Sequence, residues 1–384
     1  MKRKKWRFKK ASQSKWAKGS LFFYRTKRFF KRSIRAKYKQ DKNMTIKKEE
    51  IESIALLESE VLKAGRNYLE NKGFVEIVVP RLVRASGSCE NVNTLFEVSV
   101  DQNFNWFNGK KCYLAQTGQL YLESLVPIFD KVYCAGGSFR AEPKVDARHL
   151  AEFYMMEIEF AGNFDQLLAY IEGFIKAIVE NLIMKKEEKL TKLGLDEKRK
   201  KELARTPKVF QKITYDEAIS LLQKIGEKIN WGDDIATIQE KMLVEYFGNQ
   251  PLFITRYPDP LWNHGKKIEI EKFFNMIPDP ENPGRVLSAD LILPYGGEAV
   301  GAAQRVHEAK TLVKRLENSR MFKMLKKRGG SIDDFSWYIR NLEENGSVPH
   351  AGCGFGMSRI LKWLRASDDI RQCVTFPVNR ESLI

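Results

Sequence analysis

The stretch GGSFRAEPKVDARHLAEFYMMEIEF, residues 136–160, decides how the rest of the sequence is interpreted. The apolar residues of KVYCAGG (131–137) predict a strand that enters it. The alternation of apolar and acidic residues at its end predicts a second strand that leaves it. The polar connection around Pro143 then predicts a hairpin with a long loop. Charged side chains on one face of a hairpin must pair with each other or bind a polar ligand, so a salt-bridge ladder and a ligand site both remain open.

The positive charge of the chain is concentrated at one end. Of 384 residues, 66 are Lys or Arg and 49 are Asp or Glu, a net charge of +17. Residues 1–43 contain 18 of the basic residues and a single acid, so residues 44–384 carry 48 residues of each sign and no net charge. The chain is long enough for one large domain or two ordinary ones. No apolar run approaches the ~20 residues of a membrane span.

Residues 1–43, the basic arm, interleave Lys and Arg with nine aromatic residues and are predicted to be disordered or helical. Three interpretations stay open. A basic, aromatic arm can neutralise phosphates and stack on nucleic-acid bases. A basic, acid-poor leader can direct import into an organelle, although such leaders favour Arg and Ser over Lys. Finally, Met44 opens an ordinary globular sequence, so translation could begin there.

Residues 44–384 are predicted to form one domain, within which 185–207 is a charged insertion on the solvated surface. The five cysteines lie far apart and form no CxxC pair. This spacing indicates neither a zinc site nor a dense disulfide framework. It favours reduced thiols and a cytoplasmic location, with organelle import through the basic arm as the alternative.

The remaining pattern predicts helices and strands in alternation. Helices are expected at 46–72, ending at Gly73, and at 163–184. Buried strands are expected at 251–258 and 289–294, and a further strand at 272–276 (KFFNM).

Two further stretches place polar residues in an apolar setting. In GGEAVGAAQR (296–305), small residues surround Glu298 and Arg305 and would let a ligand approach the backbone closely. In HAGCGFGMSR (350–359), three alternate glycines lead into a helix that carries Arg359 in its first turn. A glycine-rich entry to a helix can receive a phosphate. Ordinary packing of a helix on a sheet explains the same glycines equally well.

Three stretches of the chain resemble, in sequence order, the three motifs of class II aminoacyl-tRNA synthetases. The first motif is the helix and strand that end at Pro80, the second is FRAE…RHLAEF (139–153), and the third is GCGFGMSR (352–359). The resemblance covers 46–384 and is closest to the asparaginyl and aspartyl enzymes. It implies an α+β fold, a six- or seven-stranded antiparallel sheet flanked by helices, and a homodimer formed through the first motif.

The resemblance also implies a site for ATP and Mg²⁺. Arg140 would hold the α-phosphate and the substrate carboxylate, and Arg359 the γ-phosphate. The residues implied for ATP are Arg140, Glu142, Arg148, His149, Phe153, Glu298 and Arg359, of which Arg140, Glu298 and Arg359 are the catalytic ones. Phe153 would stack on adenine, and Glu298 with Asp290 would hold Mg²⁺. Arg suits phosphate because its planar fork binds two oxygens at once.

The amino acid would be held by Glu90, Gln119, Glu157 and Arg305. Aspartyl enzymes of this family carry a Lys three residues after the Gln that corresponds to Gln119, whereas this chain has Leu122, as asparaginyl enzymes do. A neutral amide needs no such cation, and an unpaired buried Lys would be costly. The resemblance therefore favours asparagine.

The implied reaction is the activation of asparagine with ATP, followed by transfer to tRNA. The anticodon-binding barrel of these ligases has no counterpart before the first motif, which puts selection of tRNA by its anticodon in doubt. Two alternatives stay open. One is an amidation of aspartate through aspartyl-adenylate, as in asparagine synthetases related to this family. The other is a non-catalytic paralogue that binds tRNA.

Overall fold

The computed structural model describes residues 48–85, 91–100, 106–262, 268–270, 272–346 and 348–382. The basic arm and Glu90 lie outside the described residues, so the roles expected for them stay predictions. Lys48–Ile384 groups as one compact unit.

The first helix shows how local sequence sets an element and its end. Helix α1 spans Lys48–Asn71 and buries an apolar stripe that includes Leu57 and Leu69. Gly73 follows it with a φ of +80°, a conformation that glycine adopts without steric penalty. The amide of Phe74 then donates to the carbonyl of Leu69 at 3.0 Å, which satisfies a carbonyl that the helix leaves without a partner.

The described residues form eleven strands in two sheets. The strands are β1 Val75–Glu76, β2 Leu82–Val83, β3 Glu97–Val98, β4 Cys112–Leu114, β5 Lys131–Phe139, β6 Glu152–Ala161, β7 Gln211–Thr214, β8 Leu252–Thr255, β9 Ser288–Leu293, β10 Gly297–Gln304 and β11 His350–Gly356. The large sheet has the order β1-β5-β6-β11-β10-β9-β8-β7, and the small sheet has the order β2-β4-β3. The predicted hairpin is confirmed as the antiparallel pair β5–β6.

The large sheet corrects the expectation of six or seven antiparallel strands. Its six central strands are antiparallel, but β1 pairs with β5 and β7 pairs with β8 in parallel, so the sheet is mixed and eight-stranded. Parallel neighbours need a long crossover. Between β7 and β8 two helices make this connection, and between β1 and β5 the small sheet and two short helices do so.

Helices flank the large sheet. After α1, the α-helices of the described residues are α2 Gln119–Glu123, α3 Val126–Phe129, α4 Phe164–Ile183, α5 Glu187–Lys192, α6 Glu197–Leu203, α7 Tyr215–Lys224, α8 Thr237–Tyr246, α9 Ala309–Asn318, α10 Arg320–Lys327, α11 Ser336–Glu344 and α12 Met357–Leu364. Helix α4 packs on the sheet, and its Phe174 ring stacks on Phe355 of β11 with centroids 3.8 Å apart. Because side chains alternate along a strand, Met156 and Ile158 of β6 face this core while Glu157 and Glu159 face the opposite side.

The segment 185–207 is not solvated surface throughout, which corrects the expectation for it. Its Lys and Glu side chains are mostly exposed, but four of its leucines are buried in the same core as α4. They are Leu190, Leu193, Leu195 and Leu203. These leucines are hard to recognise in the sequence because charged residues surround them. The helices Glu187–Lys192 and Glu197–Leu203 each bury only one leucine against the domain.

KFFNM is not a strand, contrary to expectation. Phe273 and Phe274 both pack into a second apolar cluster around Phe335, so successive side chains do not alternate between two faces as in a strand. In the described part of the chain, no helix combines the length and apolar character needed to cross a bilayer.

Candidate active site

A cleft of about 800 Å³ opens on the face of the large sheet opposite α4. Side chains from β6, β9, β10 and α12 line it. Every predicted site residue within the described part of the chain lines this cleft, namely Gln119, Arg140, Glu142, Arg148, His149, Phe153, Glu157, Asp290, Glu298, Arg305 and Arg359. Residues up to 240 positions apart in sequence thus meet at one place, as Gln119 and Arg359 do.

The alternate glycines of β11 make room on the floor of the cleft. In the ladder, Gly352 lies opposite Glu159, and Gly354 lies opposite Glu157. A Cβ added at Gly352 would lie 2.1 Å from Cδ of Glu159 and 2.2 Å from the carbonyl oxygen of Ile158. The glycines are therefore strand residues that admit the acidic side chains of β6, and only Gly356 directly precedes helix α12.

One end of the cleft is rich in arginine. Arg148 makes two parallel hydrogen bonds to Glu240 of α8, of 2.8 and 2.9 Å, and a third bond to the hydroxyl of Thr237. A bidentate pair of this kind fixes both position and orientation of a guanidinium. The sequence analysis missed Glu240, because its partner is 92 residues away and helix α8 carries no recognisable motif.

Arg359 and Glu298 face each other at this end. Arg359 donates to the backbone carbonyl of Glu298, and its Nη1 lies 3.8 Å from the Glu298 carboxylate. Burial acts to raise the pKa of Glu298, but the charges of Arg359, Lys272 and Arg148 outweigh it and lower that pKa below its usual value. Glu298 is therefore a carboxylate at neutral pH, with 38% of its side chain exposed to the cleft.

Asp290 and Glu298 converge on Gly301. A Cβ there would lie 3.5 Å from Oε1 of Glu298 and 3.9 Å from Oδ1 of Asp290. Lys272 donates to the other oxygen of Asp290 at 2.6 Å. Burial raises the pKa of Asp290 to about 6, against the opposing charge of Lys272. Two carboxylates with one oxygen each directed to an open place suit Mg²⁺, which takes one or two carboxylates together with substrate phosphates.

The loop between β5 and β6 and the start of β6 place three more predicted residues. The Nδ1 atom of His149 lies 2.9 Å from the Asp146 carboxylate, which fixes the orientation of the imidazole ring. The guanidinium of Arg140 lies 5.6 Å from the centre of the Phe153 ring. This is within the range of a cation–π contact, so Arg140 and Phe153 hold each other in place at the cleft wall.

The other end of the cleft is lined by buried carboxylates. Arg305 donates to Glu159 at 3.0 Å from Nε and 2.6 Å from Nη2, and only 4% of its side chain is exposed. The carboxylate of Glu157 accepts the backbone N–H of Gly118 at 2.8 Å and the hydroxyl of Thr117. Arg305 thus reaches the cleft already paired, and its partner Glu159 is a site residue that sequence reasoning did not select.

Behind this end lies a buried cluster, the Glu123 hub. One oxygen of the Glu123 carboxylate accepts from Gln119 at 2.7 Å and from Asn275 at 2.6 Å. The other accepts from the Tyr338 hydroxyl and faces Nε2 of His350 at 3.2 Å. The carboxylate is fully buried. A buried acid inside the apolar helix α2 was the signal that could have identified it.

Leu122 does not line the cleft. It is fully buried among Val79, Val126, Val132 and Cys134. Leu122 therefore does not contact the amino-acid site directly. It can affect that site only through the packing of the cleft wall.

Known proteins with this arrangement were found by both sequence and structure. The sequence profile of the family "tRNA synthetases class II (D, K and N)" matches residues 33–380. An asparagine–tRNA ligase of Pelotomaculum thermopropionicum is 35% identical over 327 residues, which are 85% of this chain and 68% of that protein. One of Roseiflexus castenholzii is 33% identical over 346 residues, 88% of this chain and 71% of that protein. The crystal structure of asparaginyl-tRNA synthetase from Pyrococcus horikoshii complexed with asparaginyl-adenylate superposes with a TM-score of 0.72 at 31% identity, covering 87% of this chain and 70% of that one.

Proposed function

Since the chain belongs to the class II tRNA synthetases (D, K and N), a family of ligases that use ATP, we propose that it activates asparagine as the adenylate and transfers it to tRNA. The observation that carries this proposal is the division of one cleft into two ends. Arg140, Arg148 and Arg359 line one end, which suits a polyphosphate. Arg305 at the other end is already neutralised by Glu159, which suits an uncharged amide.

The chemistry needs positioning more than proton transfer. The carboxylate of the amino acid is already ionised, so it attacks the α-phosphate of ATP without a general base, and pyrophosphate leaves. Arg140 orients the α-phosphate and the attacking carboxylate, and Arg359 holds the departing pyrophosphate with help from Arg148 and His149. These fixed charges stabilise the negative charge that develops during transfer. Glu142 and Phe153 bind the rest of ATP, and Phe153 stacks on adenine.

Glu298 and Asp290 would hold Mg²⁺, in line with their convergence on Gly301. When bound, Mg²⁺ neutralises phosphate charge and acts as a Lewis acid. Gln119 and Glu157 bind the ammonium group and side chain of asparagine, together with Arg305. Glu90 is proposed for the same role from its sequence position alone.

The experiment that tests this function is amino-acid-dependent exchange between pyrophosphate and ATP, measured for all twenty amino acids, followed by aminoacylation of tRNA. Exchange with asparagine and charging of tRNA are expected. Exchange with aspartate, and formation of free asparagine from ammonia, would instead support the amidation reaction. Binding of ATP or tRNA with no exchange for any amino acid would support the non-catalytic paralogue.

The surface beside the cleft suits a polyanionic acceptor. Residues 309–330, which include α9 and α10, carry eight Lys or Arg and one acid, although residues 44–384 as a whole are neutral. Lys323, Lys326 and Lys327 are exposed on α10, and Met321 and Met324 of the same helix line the cleft. We propose that this basic surface holds the acceptor end of tRNA beside the adenylate. The basic arm is proposed to bind tRNA as well, from its sequence alone.

Replacing Lys323, Lys326 and Lys327 together by Gln should weaken tRNA binding and make it less dependent on salt. The slope of the logarithm of the tRNA association constant against log[salt] should become shallower by up to about three. Each phosphate contact that is lost means that about one counterion fewer is released on binding. The control replaces Lys189, Lys192 and Lys201, exposed residues of α5 and α6, which pack on the other face of the sheet. Equal slopes for the two triple variants would contradict this role for α10.

A homodimer is also proposed. Five apolar side chains around the edge strand β1 are 43–97% exposed: Val75, Val78, Leu82, Ile128 and Phe129. Several large apolar side chains left exposed indicate an interaction surface, and β1 is an edge strand of the large sheet among the described residues. Sedimentation equilibrium should give twice the chain mass for the wild type and the monomer mass for Val78→Asp. A monomeric wild type would contradict the proposal.

A further inference from the structure

We propose that Glu123 is a positioning residue that makes the site choose an amide over a carboxylate. It does so by adding a second buried carboxylate beside Arg305 and by holding Gln119. This inference rests on the proposed function, because it concerns the side-chain end of the asparagine site. No contact of Glu123 with substrate is implied, since its carboxylate lies behind the cleft wall.

The geometry gives Arg305 two carboxylates and not one. Glu159 accepts two of its hydrogen bonds, and Oε1 of Glu123 lies 3.9 Å from its Nε. An arginine alone at the end of a pocket would favour an anionic ligand, because it binds carboxylates bidentately. Burial raises the pKa of Glu159 to about 7, so both acids are ionised above that pH, and there the charge offered to a ligand from this wall is no longer positive.

The net charge around Glu123 also depends on the other titratable groups that face it. His350 lies 3.2 Å from Glu123. Burial acts to lower the pKa of His350, but the Glu123 carboxylate outweighs it and raises that pKa. Burial raises the pKa values of Tyr338 and Cys353 well above their usual range, so both stay neutral. When His350 is protonated and Glu159 is ionised, the charges of Arg305 and His350 balance those of Glu123 and Glu159, and these four side chains together carry no net charge.

A neutral hub discriminates between the two amino acids. The asparagine amide brings no charge into the buried end of the cleft, and its N–H groups can donate to a carboxylate. The aspartate carboxylate would be a third anion beside one arginine, and burying an anion without a paired cation is costly. Leu122 cannot supply that cation, because it is an apolar residue outside the cleft.

Glu123 also fixes a residue that lines the cleft. Its Oε1 atom accepts from the side-chain amide of Gln119 at 2.7 Å. The same oxygen accepts from Asn275, so the hub ties α2 to the segment before β9. Loss of the carboxylate should therefore affect both the charge of the site and the orientation of Gln119.

The decisive experiment compares asparagine and aspartate in pyrophosphate exchange for Glu123→Gln. Glutamine keeps the size of the side chain and an oxygen that can accept from Gln119 and Asn275, but it removes the carboxylate that lies 3.9 Å from Arg305. Because that carboxylate also raises the pKa of His350, its loss lowers that pKa as well, so the variant tests the carboxylate beside Arg305 and not the net charge of the whole cluster. We expect the ratio of kcat/KM for asparagine to that for aspartate to fall about tenfold or more, as for one buried charge a few ångströms away. Glu123→Asp, which keeps the charge, should retain most of the ratio.

The matched control is Asp259→Asn. Asp259 pairs with Arg315 through two 3.0 Å bonds and is equally a buried acid, but neither residue lines the cleft. This variant should lose stability and keep the ratio. If Glu123→Gln keeps the wild-type ratio as well, or if Asp259→Asn loses it equally, the inference is overturned.

The wild type offers a second test that needs no variant, because lowering the pH changes the charge of Glu159, the acid that shares Arg305 with Glu123. Burial raises the pKa of Glu159 to about 7 against the opposing charge of Arg305. Below that pH one carboxylate is neutralised while substrate aspartate stays ionised, since its side-chain pKa is about 3.9. The asparagine-to-aspartate ratio should fall as the pH is lowered from about 8 to about 6, and a constant ratio would overturn the inference. Absence of exchange with asparagine in the wild type would instead refute the proposed function.

Discussion

Arg359→Ala is expected to lower pyrophosphate exchange by about 1,000-fold or more while the protein stays folded. The guanidinium is the charge on α12 that faces the cleft, and it balances Glu298 at 3.8 Å. Its removal would leave the departing pyrophosphate without a bidentate partner and Glu298 without its nearest opposing charge. Arg359→Lys should recover only part of the activity, because an ammonium keeps the charge but lacks the planar fork.

The fold should tolerate the change. Helix α12 is held by its buried apolar residues, among them Met357, Ile360 and Leu364, and 22% of the Arg359 side chain is exposed. The control is Arg365→Ala at the end of the same helix, outside the cleft, which should keep its exchange activity. Circular dichroism and thermal melting of both variants separate loss of activity from loss of structure. Wild-type exchange by Arg359→Ala would refute the role assigned to the arginine.

Gly352→Ala is expected to lower the free energy of unfolding by about 3 kcal/mol or more, at the upper end of what overpacking costs. The new Cβ would lie 2.1 Å from Cδ of Glu159 and 2.2 Å from the Ile158 carbonyl oxygen. Neither atom can move freely, because Glu159 is bonded to Arg305 and the carbonyl belongs to the neighbouring strand. The same displacement should also disturb the amino-acid end and raise the KM for asparagine more than the KM for ATP.

Gly354→Ala is the matched control on the same strand. Its Cβ would lie 2.3 Å from the terminal methyl of Met155, the far end of a flexible side chain that can turn away. Its cost should be about 1 kcal/mol or less, near that of a tolerated core change. Thermal melting of the two variants measures the difference. Equal melting temperatures would show that β11 has more room at Gly352 than the structure indicates.

Much of the fold follows from local sequence. Helix α1 and its end at Gly73, the β5–β6 hairpin, and the helix α12 that follows the alternate glycines were all expected, because periodicity and glycine act within a few residues. The same is true of the site residues on β6, β10 and α12. A charged or polar side chain in an apolar stretch can be recognised from the sequence alone.

Other features depended on contacts across the chain. The parallel pairing of β1 with β5, and of β7 with β8, depends on crossover connections whose paths no local sequence pattern specifies. The leucines of 185–207 were hidden by the surrounding charge, because their burial depends on where α4 lies. In KFFNM, the second apolar cluster overrode the tendency of its two phenylalanines to form a strand.

The sequence alone therefore identified which residues are chemically unusual, and with the family resemblance it indicated the reaction. The tertiary structure decided how those residues are paired. Glu240 meets Arg148 across 92 positions, and Glu123 meets His350 across 227. The charge of a buried site depends on the distances between such groups, and these distances exist only after the sheet has assembled. Whether Arg305 is a free cation or a neutralised one is therefore a property of the fold.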